Sequence, residues 1–188
     1  PEKVSAPPGN SIPRIIHQIS LGDAPVPEEF KGYMQSWKDH HPDWEYRLWT
    51  DKNLPALINR QLLDATPKYS QKSNIIRYEL LYTYGGVYAD TDMECFKPLD
   101  ELLEGITLFT GYTLPTVKQS NTAIFGASRK HPVMQRCIEH LKPKTLGTDR
   151  DNILTGPPFF EFICKESDIH YFPSSVFYPY HWTEMHRK

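Results

Sequence analysis

Apolar positions along this chain follow two rhythms, and their alternation predicts an α/β fold. Ile12 to Leu21 (IPRIIHQISL) is rich in β-branched residues and predicts a buried first strand on Ile15, Ile16 and Ile19. Glu28 to Asp39 places Phe30, Met34 and Trp37 at helical spacing. Pro27 suits the start of that helix and Glu28 and Glu29 suit its first turn. Trp44 to Thr50 predicts a second strand, and Leu54 to Asp64 a helix capped by Asp51. Ile76, Leu80 and Leu81, widened by Ile75 and Tyr84, predict a helix from an N-cap at Ser73 to the glycine break Gly85-Gly86. Val87-Tyr88-Ala89 is then a short buried strand, and Asp90 and Asp92 stand where it runs out.

Beyond Asp92, Met93 to Pro98 reads as a bend and Asp100 to Leu103 as a short helix. Ile106 to Tyr112 and Thr122 to Ala127 predict two strands. A helix follows His131-Pro132 as far as Leu141, and another follows Thr155-Gly156-Pro157-Pro158. Ile169 to Phe172 closes the series as a short strand. Strands alternating with helices imply a mainly parallel central sheet flanked by helices. Residues 1–11 read as a linker or tail, and 12–188 as a single domain without repeats.

Composition narrows the function. A formal charge of −2 argues against a nucleic-acid partner. Aromatics at 13% and 17 prolines suggest a loop-rich domain with stacking surfaces, which suits sugar and base ligands. Cys95, Cys137 and Cys164 have no CxxC spacing and read as buried free thiols. No run of about 18 apolar residues occurs, so no membrane span is expected. The start at Pro1 is in keeping with one domain of a larger protein. His17, on an apolar strand, reads as structural, and His40-His41 as surface loop.

The chemistry gathers at Ser73 to Asp92. Side chains alternate along a strand, so Asp90 and Asp92 face the same way if the strand continues. Two converging carboxylates repel unless a cation joins them, and oxygen ligands favour Mg2+ or Mn2+. Such ions keep positions open for phosphate oxygens. A helix start near Ser73 and the cation Arg77 would add anion-binding groups. The simplest ligand for the assembly is a metal-bound diphosphate. Asp-x-Asp alone is a weak signal, usually a solvated acidic turn. The run Arg77, Gly85-Gly86, Tyr88, Asp90-x-Asp92 is far more specific.

That run resembles the sugar-nucleotide-binding core of the family 32 glycosyltransferases. The group includes the yeast initiating mannosyltransferases, capsular polysaccharide transferases and, distantly, the clostridial glucosylating toxins. The matching residues are Ser73-Asn74-Ile75-Ile76-Arg77, Leu81-Tyr82 and Gly85-Gly86-Val87-Tyr88-Ala89-Asp90-Thr91-Asp92. Ser36-Trp37, Pro42-Asp43, Leu48-Trp49 and Asp51 extend the resemblance upstream. It implies a GT-A type nucleotide-sugar-binding fold and transfer of a sugar to an acceptor hydroxyl with retention of configuration. The donor would be a UDP- or GDP-linked sugar, and the acceptor a glycan, a lipid-linked molecule or a protein. Mn2+ (or Mg2+) would be held by Asp90, Asp92 and a C-terminal histidine, with His181 preferred to His186. The resemblance further assigns donor contacts to Gln18, Asn74, Arg77, Gly86, Tyr88, Asp90 and Asn121. Thr155-Gly156-Pro157 would abut the acceptor pocket, and Tyr178 to Met185 would close over the site with Trp182 above the diphosphate. Its setting would be a place of glycan assembly, cytoplasmic or Golgi-lumen-like.

Two positions depart from the family pattern. Ser20 stands where a base-stacking tryptophan is usual, and Asn74 where a sugar-gripping carboxylate is usual. These departures support an alternative, a non-catalytic sugar- or nucleotide-binding module, which the intact Asp90, Asp92 and Arg77 oppose. A nucleotidyltransferase would open with a glycine-rich basic loop, but Ser20 to Pro27 has one glycine and no Lys or Arg.

Overall fold

The computed structural model describes residues 11–114, 119–141 and 154–178. Their elements run β1 (Ile15–Ile19), α1 (Glu28–His40), β2 (Glu45–Trp49), α2 (Arg60–Ala65), α3 (Tyr69–Tyr84), β3 (Gly86–Ala89), β4 (Leu108–Tyr112), β5 (Ser120–Ala127), α4 (Pro132–His140), α5 (Pro157–Cys164), β6 (His170–Phe172) and α6 (Ser174–Phe177). The six strands form one mixed sheet in the order β2-β1-β3-β5-β4-β6. Both pairings of β1 are parallel, as is β4 with β6, while β5 runs antiparallel to both of its neighbours. The expected parallel α/β half is therefore present, and β5 turns the sheet around beside β3.

Strand alternation divides the core. Tyr88, Leu108, Phe125 and Ala127 pack with the buried residues of α3, α4 and α5. Val87, Ala89, Phe109 and Ile124 join Trp37 of α1 and Leu99 and Leu103 of the following loop. The three cysteines are free and buried; burial pushes the Cys95 thiol up to about 11 and the Cys164 thiol up to about 12. Among the described residues no helix is long and apolar enough to cross a membrane.

Several boundaries differ from expectation, each for a tertiary reason. α3 starts at Tyr69, so Ser73 lies inside it and caps nothing. Every residue from Asn74 to Leu81 is buried, so the helix is enclosed all round and its apolar stripe understates it. α2 starts at Arg60 rather than Leu54, because the Glu79 carboxylate accepts the Ile58 and Asn59 amides at 2.5 and 2.7 Å and holds that stretch as a loop. Asp51 does not cap α2; its Oδ2 accepts from Gly22 N at 2.7 Å. Residues 100–105 form turns instead of a helix.

His41 is not surface loop but buried. Its Nδ1 donates to Trp37 O at 2.9 Å and its Nε2 accepts from Leu99 N at 3.0 Å, so the ring is neutral and burial lowers its pKa. His17 is structural as expected. Nε2 donates to Gly85 O at 2.9 Å, Nδ1 accepts from Trp49 Nε1 at 3.1 Å, and burial lowers the pKa to about 4.

The Gly85-Gly86 break is sterically required. Gly85 has φ +67° and a Cβ on it would meet Arg129 N and Pro13 at 2.7 Å. Gly86 has φ +104° and a Cβ there would lie 2.6 Å from Ile15 O. The pair lets α3 end and β3 start directly against β1, which aims Asp90 off the end of the strand.

Candidate active site

A cavity of about 610 Å³ opens where β3 ends. Asn74 and Arg77 of α3, Tyr88 of β3, Asp90 and Asp92 beyond it, and Asn121 of β5 all line it. Six of the sequence-predicted site residues thus meet in one place, although they come from three separate elements. Pro157 and Pro158 at the start of α5 line the same cavity. Gln18 and Gly86 do not reach it, while His181, His186, Trp182 and the rest of the proposed closing segment after Tyr178 lie outside the described residues.

Asp90 is fixed through its backbone and its side chain. Its N donates to Ala123 O at 2.8 Å, and its carbonyl oxygen accepts from Gln18 Nε2 at 3.1 Å. Tyr46 OH donates to Gln18 Oε1 at 2.6 Å, so fully buried Gln18 is committed to orienting Asp90 rather than facing a ligand. Tyr88 OH donates to Asp90 Oδ1 at 2.6 Å. Burial raises the Asp90 carboxyl above the usual range, against the pull of the Arg77 guanidinium and the Tyr88 hydroxyl; Asp92 adds to the rise. Asp92 itself is exposed at the mouth.

Arg77 is 6% exposed, so it is an almost wholly buried cation. Its Nη1 donates to Thr122 O, and its guanidinium lies 5.4 Å from the Tyr88 ring centre and 6.0 Å from that of Phe125. Its buried Nε has no protein partner among the described residues. Arg77 also lines the cavity, and a cation there is suited to an anionic ligand. Asn74 is also buried, and its Nδ2 donates to Thr155 Oγ1 at 3.0 Å, leaving the amide oxygen as an acceptor. Asn121 combines two roles, lining the cavity while its Oδ1 accepts from Ala123 N at 2.9 Å.

Among the described residues no three His, Cys, Asp or Glu side chains cluster closely enough to hold a metal ion. Asp90 and Asp92 fit a hard divalent cation as two oxygen ligands, because the buried carboxylate gains from a neighbouring positive charge. Other ligand positions would fall to water or to phosphate. The Thr122–Ala123 wall and the tie of Thr155 to Asn74 were not singled out from sequence. Their part depends on contacts across 45 and 81 residues, to which local spacing is blind.

Residues 27–108, which contain most of these groups, match a family described as "Glycosyltransferase sugar-binding region containing DXD motif". That stretch is a glycosyltransferase DXD sugar-binding region. It is 37% identical over 139 residues to inositol phosphoceramide mannosyltransferase 1 of Schizosaccharomyces pombe, covering 69% of this chain and 43% of that protein. Mannosyl phosphorylinositol ceramide synthase CSH1 of Saccharomyces cerevisiae is 34% identical over 169 residues, or 85% of this chain and 44% of the relative. The chain therefore spans less than half the length of these relatives. The solved structure of the PaToxG glycosyltransferase shares the fold, with a TM-score of 0.69 at 17% identity over 85% of this chain and 71% of that one. This chain therefore shares the GT-A architecture of that glycosyltransferase.

Proposed function

We propose that this chain forms the donor site of a metal-dependent glycosyltransferase that transfers a hexose from a nucleoside-diphosphate sugar to an acceptor hydroxyl with retention of configuration. The observation that carries the reading is the convergence of Asp90, Asp92 and Arg77 on one cavity. Mannose is the favoured sugar and the inositol headgroup of a ceramide lipid the favoured acceptor, because the similar yeast proteins are named as an inositol phosphoceramide mannosyltransferase and a mannosyl phosphorylinositol ceramide synthase.

Asp90 and Asp92 would hold a divalent cation, Mn2+ or Mg2+, which when bound offsets negative charge on the leaving diphosphate. Arg77 stabilises that same charge from a buried position, where it needs little reorganisation as the bond to the anomeric carbon breaks. Asn74 accepts from a sugar hydroxyl through its amide oxygen, in place of the carboxylate usual at that position. Phe30, on the cavity wall, offers the nucleotide base an aromatic face where Ser20 cannot. The prolines Pro157 and Pro158 flank the acceptor side.

A panel of nucleotide sugars incubated with the chain, with and without Mn2+, tests this reading. Metal-dependent release of nucleoside diphosphate from a mannosyl donor is the expected result. Release that is indifferent to chelation, or none from any donor, would reject it.

A further inference from the structure

β5 carries an irregularity where it passes the cavity. Its register against β4 jumps from Thr110↔Phe125 to Gly111↔Asn121, so Thr122, Ala123 and Ile124 stand opposite a single peptide step. Backbone groups released by such a bulge need partners elsewhere. Side chains of the neighbouring strand β4, of α3, of the residue after α6 and of Asn121 beside the bulge provide them. Thr110 Oγ1 donates to Asn121 O, and Arg77 Nη1 donates to Thr122 O. Ala123 N donates to Asn121 Oδ1 at 2.9 Å, and Ile124 N donates to Tyr178 OH at 3.1 Å. Asn121 and the bulged Thr122 and Ala123 are cavity wall, and Ala123 O accepts from the Asp90 amide.

A second observation concerns steric fit. A Cβ on Gly111 would lie 2.9 Å from Phe177 Cδ2 and 3.1 Å from Tyr178 Cε2. β4 therefore has a glycine where the Tyr178 ring crosses it, and a glycine within a strand weakens it unless another group approaches closely. Phe177 seats this segment in the core, with ring centres 5.8 Å from Phe109 and 5.3 Å from Phe172. Tyr178 itself is not among the residues that line the cavity.

We propose that Tyr178 is a positioning residue of the donor site: its hydroxyl holds the β5 bulge, and through it the Asn121–Ala123 wall and the Asp90 backbone, in the shape that receives a nucleoside diphosphate. The inference rests on reading the cavity as a donor site. Tyr178→Phe keeps the ring packing and removes only the acceptor. In the full chain it should weaken GDP or UDP binding in the presence of Mn2+ about fivefold, the worth of one hydrogen bond. Amide hydrogen exchange at Ile124 should accelerate about as much or more without nucleotide, while the melting temperature moves by less than about 5 °C. Gly111→Ala, which pushes the Phe177 and Tyr178 rings away together, should reproduce the weakening, and the double variant should bind no worse than the weaker single one. Faster Ile124 exchange with unchanged nucleotide affinity overturns the proposal, as does unchanged exchange. If the unsubstituted chain binds neither nucleotide, the donor-site reading itself fails and takes this inference with it.

Discussion

At the residue scale the site pairs a buried cation with a carboxylate whose pKa burial raises. Arg77, Tyr88, Asp90 and Asp92 were legible in the sequence because they lie within one run, and a short helix–strand unit must bring them together. Gln18 was expected to contact the donor, whereas its amide is committed behind the cavity wall. Nothing in the sequence says that its amide bridges Tyr46 OH and the Asp90 carbonyl. Asn74 gives the sharpest single-residue prediction. Its amide nitrogen is spent on Thr155, so a carboxylate there would keep one acceptor toward the cavity and change the charge that a sugar meets. Asn74→Asp should alter the ranking of nucleotide sugars in a donor panel by about tenfold for at least one pair, with little change in melting temperature. An identical ranking would make Asn74 a packing residue only.

At the element scale the decisive feature is the α3–β3 joint. The glycine pair was legible as a helix stop, since a left-handed cap needs glycine. The close approach of β1 to Gly86 was not, because it depends on which strand comes to lie alongside. Gly86→Ala should cost roughly 2–4 kcal/mol in chemical denaturation, through the positive φ and the contact with Ile15 O. Gly32→Ala, within α1 where an added Cβ meets nothing within 4 Å, should instead stabilise by up to ~1 kcal/mol. Equal effects would mean that the joint is looser than its geometry indicates. The misplaced starts of α2 and α3 have a common origin. Ser73 and Leu54 satisfy local rules, but the Glu79 carboxylate and the all-round burial of α3 override them.

At the scale of the whole molecule, the element order and the parallel half of the sheet followed from hydrophobic rhythm, and the antiparallel β5 did not. Periodicity predicts strands but not their neighbours. The same long-range packing makes stability depend on pH. His17 is neutral in the fold with a pKa near 4, whereas the unfolded chain protonates it near 6.5. Between these values the unfolded state binds more protons, so stability falls as pH drops from about 6.5 to 4, by up to about 3 kcal/mol. His17→Gln, which keeps a donor for Gly85 O, should flatten that part of the profile in denaturant titrations. A profile unchanged by the substitution would place the pH dependence elsewhere.

On the proposed function, the cavity at the end of β3 binds a nucleoside diphosphate through a divalent cation held by Asp90 and Asp92. Isothermal titration calorimetry with GDP and UDP tests it most directly, in Mn2+ and then in excess chelator, on the chain and on Asp92→Asn. Asp92 is exposed, so that substitution should leave the fold intact. Mn2+ should strengthen binding of at least one nucleotide by about tenfold or more, and Asp92→Asn should remove this gain. Equal affinity with and without metal, or a full metal response in Asp92→Asn, would contradict it.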